Sequence, residues 1–286
     1  MKVVIIGGTH GNEKTGAYLV DRWQRHATRL PKSHQYLFIK GNPEALAANR
    51  RYVEYDLNRS FSKEHPKAKS YEAQRALELK KMIETWTQGC PYFLIDLHTT
   101  TANMGETLVL SKSDLLTAHT IRRALHDCPN IRLLFNSQRD HESIFVDSIA
   151  PHGLLVEIGP VAQNLLNAKV IQATEQVVLA LLNALNEVDK QTSLPEIELA
   201  GFLEGSAVEY PQDNQGNIVA MIHPTLQDRD YLPLAPGAPL FETLNGETLP
   251  YLGGQITYPV FINEAAYYEK RVALLTSQPT TFTFSP

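Results

Sequence analysis

The 286-residue chain has only two cysteines, Cys90 and Cys128. That is too few for a disulfide framework or a cysteine-built metal site, so both read as reduced, structural thiols. Long apolar runs are missing too, and nothing approaches the roughly 20 residues that a membrane-spanning helix needs. The opening MKVVIIGG has one Lys and a short apolar stretch, well short of a secretory signal. Excess positive charge is absent: a net charge of −5 argues against sequence-independent nucleic-acid binding, which needs a cationic surface. A local cluster of arginines in a cleft remains compatible with that total. No internal repeat and no low-complexity stretch is found. The expectation is a cytoplasmic protein with no membrane and no nucleic-acid partner.

What is present is the material of a globular protein. A hydrophobic fraction of 43% and a charged fraction of 20% supply a full core. The length suits two domains, or one large α/β domain with an extension. Residues 3–6 are a short apolar run closed by Gly7-Gly8, as in a strand buried on both faces. Helical spacing follows at 13–26, then strand patterns at 36–39, 92–97, 107–110, 131–135 and 154–158. Helices are expected between them at 70–86, 115–126 and 165–188. This alternation predicts an α/β fold with a largely parallel or mixed sheet flanked by helices. After Pro195 the pattern becomes short and β-like, for example at 218–222 and 258–262, punctuated by turn signals. We place a boundary there, with 1–195 as the first domain and 196–286 as a smaller β-rich domain.

Three strand ends carry the candidate chemistry. His10-Gly11-Asn12-Glu13 follows the first strand and brings an imidazole and a carboxylate to one side of a turn. The pair admits two readings: metal ligands, or a surface His beside a Glu favoured at a helix start. His98 closes the apolar strand at 92–97, and ligands of open α/β sheets gather beyond such carboxyl ends. Asp96, two residues back, is placed to orient a ligand from behind. Glu157 ends a third apolar run, where burial would raise its pKa toward the range of a general base; a buried salt bridge is the alternative. The segment 50–61, RRYVEYDLNRSF, crowds three arginines and an Asn beside aromatics, which suits either an anion pocket or a solvated charged loop.

Competing motifs fail on spacing. Gly7-Gly8-Thr9-His10-Gly11 lacks the dinucleotide-loop spacing, and Glu13 stands where a P-loop would need glycine before Lys14-Thr15. His141-Glu142 has no second His for a zincin helix, and no G-x-S-x-G elbow is present.

Taken in order, the strings GGTHGNEKTG (7–16), YDLNRSF (55–61), DLHTTTANMG (96–105), VEIGP (156–160), AMIHPTLQDRDY (220–231) and YPVFINEAAYYEK (258–270) resemble the aspartoacylase branch of the zinc carboxypeptidase-like superfamily. They span nearly the whole chain, and the last is long enough to be specific. The resemblance implies a carboxypeptidase-like α/β domain followed by a β-rich domain that narrows access. It implies one Zn2+ per chain held by His10, Glu13 and His98. Glu157 would act as general base, Arg51 would help hold the scissile carbonyl, and Asn58 and Arg59 would grip a substrate carboxylate. Tyr267 would reach in from the second domain. The implied reaction is hydrolysis of a small N-acyl amino acid, first of all N-acetyl-L-aspartate to acetate and L-aspartate. The alternatives are a sister activity (an aminoacylase on neutral or aromatic N-acetyl amino acids, a succinylglutamate desuccinylase or a carboxypeptidase) and a non-catalytic binding protein. A homo-oligomer is implied by the same analogy. Two departures stand out. Asp147 occupies the place of an arginine that binds the aspartate side chain in mammalian aspartoacylases, with Arg139 as a substitute from the same loop, and Thr99 replaces an expected Asn.

Overall fold

The structure, a computed structural model, describes residues 1–62, 69–112, 114–136 and 144–286. Arg139 and His141-Glu142 lie outside them. The strands are β1 (Lys2–Gly7), β2 (Gln35–Lys40), β3 (Tyr92–Thr99), β4 (Gly105–Leu110), β5 (Arg132–Phe135), β6 (His152–Gly159), β7 (Ile197–Glu209), β8 (Ala220–Ile222), β9 (Pro239–Thr243), β10 (Thr248–Pro250) and β11 (Val272–Phe284). The α-helices are α1 (Lys14–Arg25), α2 (Pro43–Ala48), α3 (Tyr71–Thr87), α4 (Leu115–Asp127) and α5 (Ala168–Val188). An eight-stranded sheet runs β11-β7-β5-β4-β6-β3-β1-β2, and a separate three-stranded sheet runs β10-β9-β8. The large sheet is mixed: β2, β1, β3 and β6 are parallel, whereas β4 is antiparallel to β6 and β11 to β7. This is the expected α/β class.

Period-2 alternation divides the core between the two faces of the sheet. Val3, Ile5, Phe93, Ile95 and Val156 pack with Leu19 and Trp23 of α1 and the apolar stripes of α4 and α5. Val4, Ile6 and Leu94 face the other way, onto Ala76, Leu79 and Ile83 of α3. α1 lies close against the sheet because two glycines meet there. A Cβ on Gly7 would fall 2.2 Å from the Gly16 carbonyl carbon, so any side chain would push the helix away.

Two features depart from the sequence reading. The C-terminal strands are not all short: β7 and β11 each run for 13 residues and extend the large sheet. Gly201 and Gly205 interrupt the apolar alternation of β7. Pro279 breaks that of β11, where it is tolerated because β11 is an edge strand. Residues 258–262 do not form a strand; Val260 makes only an isolated bridge to Leu275. No helix among the described residues is long and apolar enough to cross a membrane.

Candidate metal centre and active site

β1, β3 and β6 are neighbours and point the same way, so their carboxyl ends share one edge of the sheet. His10 and Glu13 lie just beyond β1, where the chain turns at Gly8 (φ +72°) into α1. His98 and Glu157 are cross-strand partners on β3 and β6. The topology therefore brings together residues far apart in the chain.

His10, Glu13 and His98 are buried, with one donor atom of each inside a 4.8 Å span. The Nδ1 of His10 is 2.6 Å from Glu13 Oε1, and the Nδ1 of His98 is 3.0 Å from Glu13 Oε2. Each ring's other nitrogen is spoken for. His10 Nε2 lies 2.9 Å from Asp56 Oδ1, and His98 Nε2 lies 2.6 Å from Asp96 Oδ2. With a metal ion at the centre, the carboxylate behind each imidazole would hold the ring proton on Nε2 and leave the Nδ1 lone pair for the ion. Two inward Nδ1 atoms and a carboxylate form an N/O donor set that fits a divalent metal ion with an open position. Burial alone would raise the Glu13 pKa, but His10 and His98 hold it well below the usual carboxylate range. The same acidic surroundings, Asp96 before Glu13, outweigh burial and raise the His98 pKa well above its ordinary value. Electrostatically, the cluster favours positive charge at its centre.

Arg51 sits at the rim. Its Nε and Nη2 donate to Asp56 Oδ2 (3.3 and 3.1 Å) and its Nη1 to Glu13 Oε1 (3.3 Å). A guanidinium has five N–H groups, so two remain for a ligand. A cleft of about 420 Å³ opens beside it, lined by Asn12, Arg50, Tyr52 and Gln163 among others. The Glu157 carboxylate makes no hydrogen bond among the described residues. Burial first, then Glu13 and Glu264, push its pKa up to about 8 against the opposing pull of His98 and Arg51.

The carboxylate-binding candidates are placed differently from one another. Arg59 stacks over the Phe145 ring, its Cζ 4.4 Å from the centroid, and donates through Nη1 to the Asn58 carbonyl. Asn58 itself is buried, and its Oδ1 accepts the Val146 N–H at 2.9 Å. Its side chain thus pins the neighbouring turn, leaving only the amide N–H groups for a ligand. Tyr267, on the turn Ala265–Lys270, lies within electrostatic reach of Glu204, Arg59, Arg51 and Glu157, and burial raises its pKa. Asp147 does not line an opening: it is 1% exposed, on the turn Val146–Ile149.

Three site residues were not singled out from the sequence. Asp56 joins His10 to Arg51, and its only signal in the sequence is the Asp-x-Asn pattern of a capping residue, since it accepts the Asn58 N–H at 2.9 Å. Glu264 is buried and accepts from the Thr101 N–H (2.7 Å), the Thr101 hydroxyl (2.9 Å) and the Thr100 hydroxyl. It fastens the Tyr267 segment onto the loop after His98. Glu204, half-buried on β7, faces Arg59 and Tyr267, and burial pushes its pKa up to about 7.

Comparison with known proteins follows the same lines. The profile of the succinylglutamate desuccinylase/aspartoacylase catalytic domain matches residues 1–185, and that of the AstE/AspA barrel-sandwich hybrid domain matches residues 199–279. A probable aspartoacylase of Nostoc sp. is 40% identical over 280 residues, covering 96% of this chain and 95% of its own. The human N-acyl-aromatic-L-amino acid amidohydrolase (carboxylate-forming) is 37% identical over 292 residues, covering 99% of this chain and 92% of its own. The crystal structure of murine aminoacylase 3 superposes with a TM-score of 0.91 at 34% identity, covering 100% of this chain and 97% of the other.

Proposed function

This chain belongs to the succinylglutamate desuccinylase/aspartoacylase family, and from that premise we propose that it is a zinc-dependent amidohydrolase of N-acyl-L-amino acids. We place the catalytic apparatus in 1–195 and give 196–286 the part of narrowing the entrance. The observation that carries the reading is the juxtaposition of an inward-turned His10–Glu13–His98 set with Glu157, a half-buried carboxylate that has no hydrogen bond of its own among the described residues.

When bound by His10, Glu13 and His98, zinc would supply a Lewis acid and lower the pKa of water at the site. The chain's own residues do the rest. Glu157 takes the proton of the attacking water and returns it to the leaving amine, a role suited to a carboxylate whose pKa burial has raised toward neutrality. The two uncommitted N–H groups of Arg51 aim at the carbonyl oxygen, where negative charge develops. Arg59, braced on Phe145, receives the substrate's carboxylate with Tyr267 beside it. Asn58 contributes its amide N–H groups at most.

The first substrate to propose is N-acetyl-L-aspartate, cleaved to acetate and L-aspartate. A second reading, neutral or aromatic N-acyl amino acids, is favoured by Glu204, an acid within electrostatic reach of Arg59 and Tyr267 that, when ionised, disfavours a second substrate carboxylate. The test is metal analysis of the purified protein with parallel hydrolysis of N-acetyl-L-aspartate, N-acetyl-L-tyrosine and N-succinyl-L-glutamate. One zinc per chain and turnover of an N-acyl amino acid are expected, and the preferred substrate decides between the readings. A zinc-loaded protein that turns over none of them refutes the proposal.

A further inference from the structure

Glu72 stands in the first turn of α3 and is 0% exposed. A buried carboxylate is costly unless its oxygens are filled with donors. Here none of the donors belongs to its own helix. Oε1 accepts the Val53 N–H at 2.6 Å and the Asn42 side-chain N–H at 3.1 Å. Oε2 accepts the N–H groups of Glu54 at 3.1 Å and Tyr55 at 3.0 Å. Three consecutive backbone N–H groups converging on one anion form a nest, the same device that cradles phosphates. The contact is reciprocal, because the Glu54 carboxylate accepts the Tyr71 N–H from the start of α3.

The position of this nest gives it meaning. Val53, Glu54 and Tyr55 are the middle of a loop whose two ends carry Arg51 and Asp56. Arg51 and Asp56 pair with each other, Arg51 reaches Glu13, and Asp56 holds His10 Nε2. Asn42 ties the same carboxylate to the end of β1, since its backbone N–H donates to the Gly8 carbonyl. One buried anion therefore sets the spacing between the loop that bears the arginine and the strand end that bears His10 and Glu13.

We propose that Glu72 is a positioning residue for the hydrolytic site, its carboxylate fixing the 51–56 loop so that Arg51 and Asp56 meet the substrate carbonyl and His10 in register. The inference rests on the role given to Arg51 above, while its metal arm rests only on the Asp56–His10 contact. A Gln at this position turns an N–H₂ group toward N–H donors, so two of the four contacts are lost and the loop is released.

The experiment compares wild type, Glu72→Gln, Arg51→Ala and the double variant, all zinc-loaded and folded. Kinetics at saturating zinc on the best N-acyl amino acid are paired with zinc affinity by chelator competition. Glu72→Gln is expected to lower kcat about 10-fold to 100-fold with little change in KM, and to weaken zinc binding by about tenfold, the range found when partners behind a ligand are removed. In the Arg51→Ala background the same substitution is expected to change kcat less than about threefold, because its effect runs through Arg51. A merely structural role would give equal penalties in both backgrounds, and that result, or an unchanged kcat and zinc affinity, overturns the proposal. If Glu72→Gln does not fold, Glu72→Asp, which keeps the charge and retracts it by one methylene, is read by the same criteria. If wild type hydrolyses none of the substrates, the functional reading fails, and the zinc-affinity arm alone decides the positioning role.

Discussion

Replacing Asp147 with Asn tests the electrostatics of the region beside the site. The side chain is 1% exposed, and among the described residues neither carboxylate oxygen has a well-formed hydrogen bond, although Ser111 and Lys112 are near enough to ease the charge. Burial is the main cause of a pKa raised from 3.8 to about 6, with Asp96 adding to it. The sign follows from linkage: an acid whose folded pKa lies above its unfolded value is more costly to the fold once it ionises. Its contribution to stability is full below about pH 4 and is lost progressively as pH rises through about 6. A shift of about two units at about 1.4 kcal/mol each gives a cost of about 3 kcal/mol on the alkaline side. Asn cannot ionise, so Asp147→Asn should gain about that much relative to wild type between pH 4 and pH 8. Calorimetric melting of both proteins across that range measures it. The difference in Tm should move in favour of the variant by about 5 °C or more as pH rises. Comparing the pair cancels the other carboxylates, which titrate in both. A Tm difference that is flat from pH 4 to pH 8 would mean that Asp147 ionises without penalty, and the burial argument would be wrong.

The site makes further predictions. Glu157→Gln should cut turnover by about 100-fold to 10,000-fold while metal analysis still finds the zinc of wild type; retained activity removes Glu157 from proton transfer. Asp96→Asn removes the carboxylate 2.6 Å behind His98, so chelator competition should show zinc held about 10-fold to 100-fold more weakly. Unchanged affinity would show that the partner does not orient the ring. Arg59→Ala should raise KM by about tenfold or more and leave kcat within a few-fold, since it takes away a charge-assisted contact made in the ground state. A defect confined to kcat contradicts that role.

The first-layer donors were legible because each is tied to a local signal. β1, β3 and β6 announce themselves as apolar runs, and His10, His98 and Glu157 stand at their ends, where an open sheet collects its ligands. The register that sets His98 beside Glu157 is a property of strand pairing, which no single sequence states. The long reach of β7 and β11 was hidden for a related reason: glycine and proline break their local pattern, and only pairing with each other and with β5 restores it.

The residues behind the ligands were illegible on physical grounds. Asp56, Glu72 and Glu264 are acids with no local sign of burial, and the ordinary expectation for such residues is a solvated face. Their burial comes from distant segments: Glu72 is covered by the 53–55 loop and Asn42, Glu264 by the loop after β3, and Asp56 by His10 and Arg51. Each of these carboxylates gathers donors that would otherwise be buried and unpaired, at about 1–3 kcal/mol apiece. Apolar packing tolerates small slides of one segment over another, whereas a carboxylate shared among several N–H groups fixes both distance and direction. A hydrolytic site must hold Arg51, Glu157 and three ligand atoms to within fractions of an ångström, so its loops are better pinned by buried charge than by hydrophobic contact. It follows that the costly, hidden acids should affect kcat and metal affinity more than their share of the core would suggest, and the Glu72 and Asp96 variants measure that difference directly.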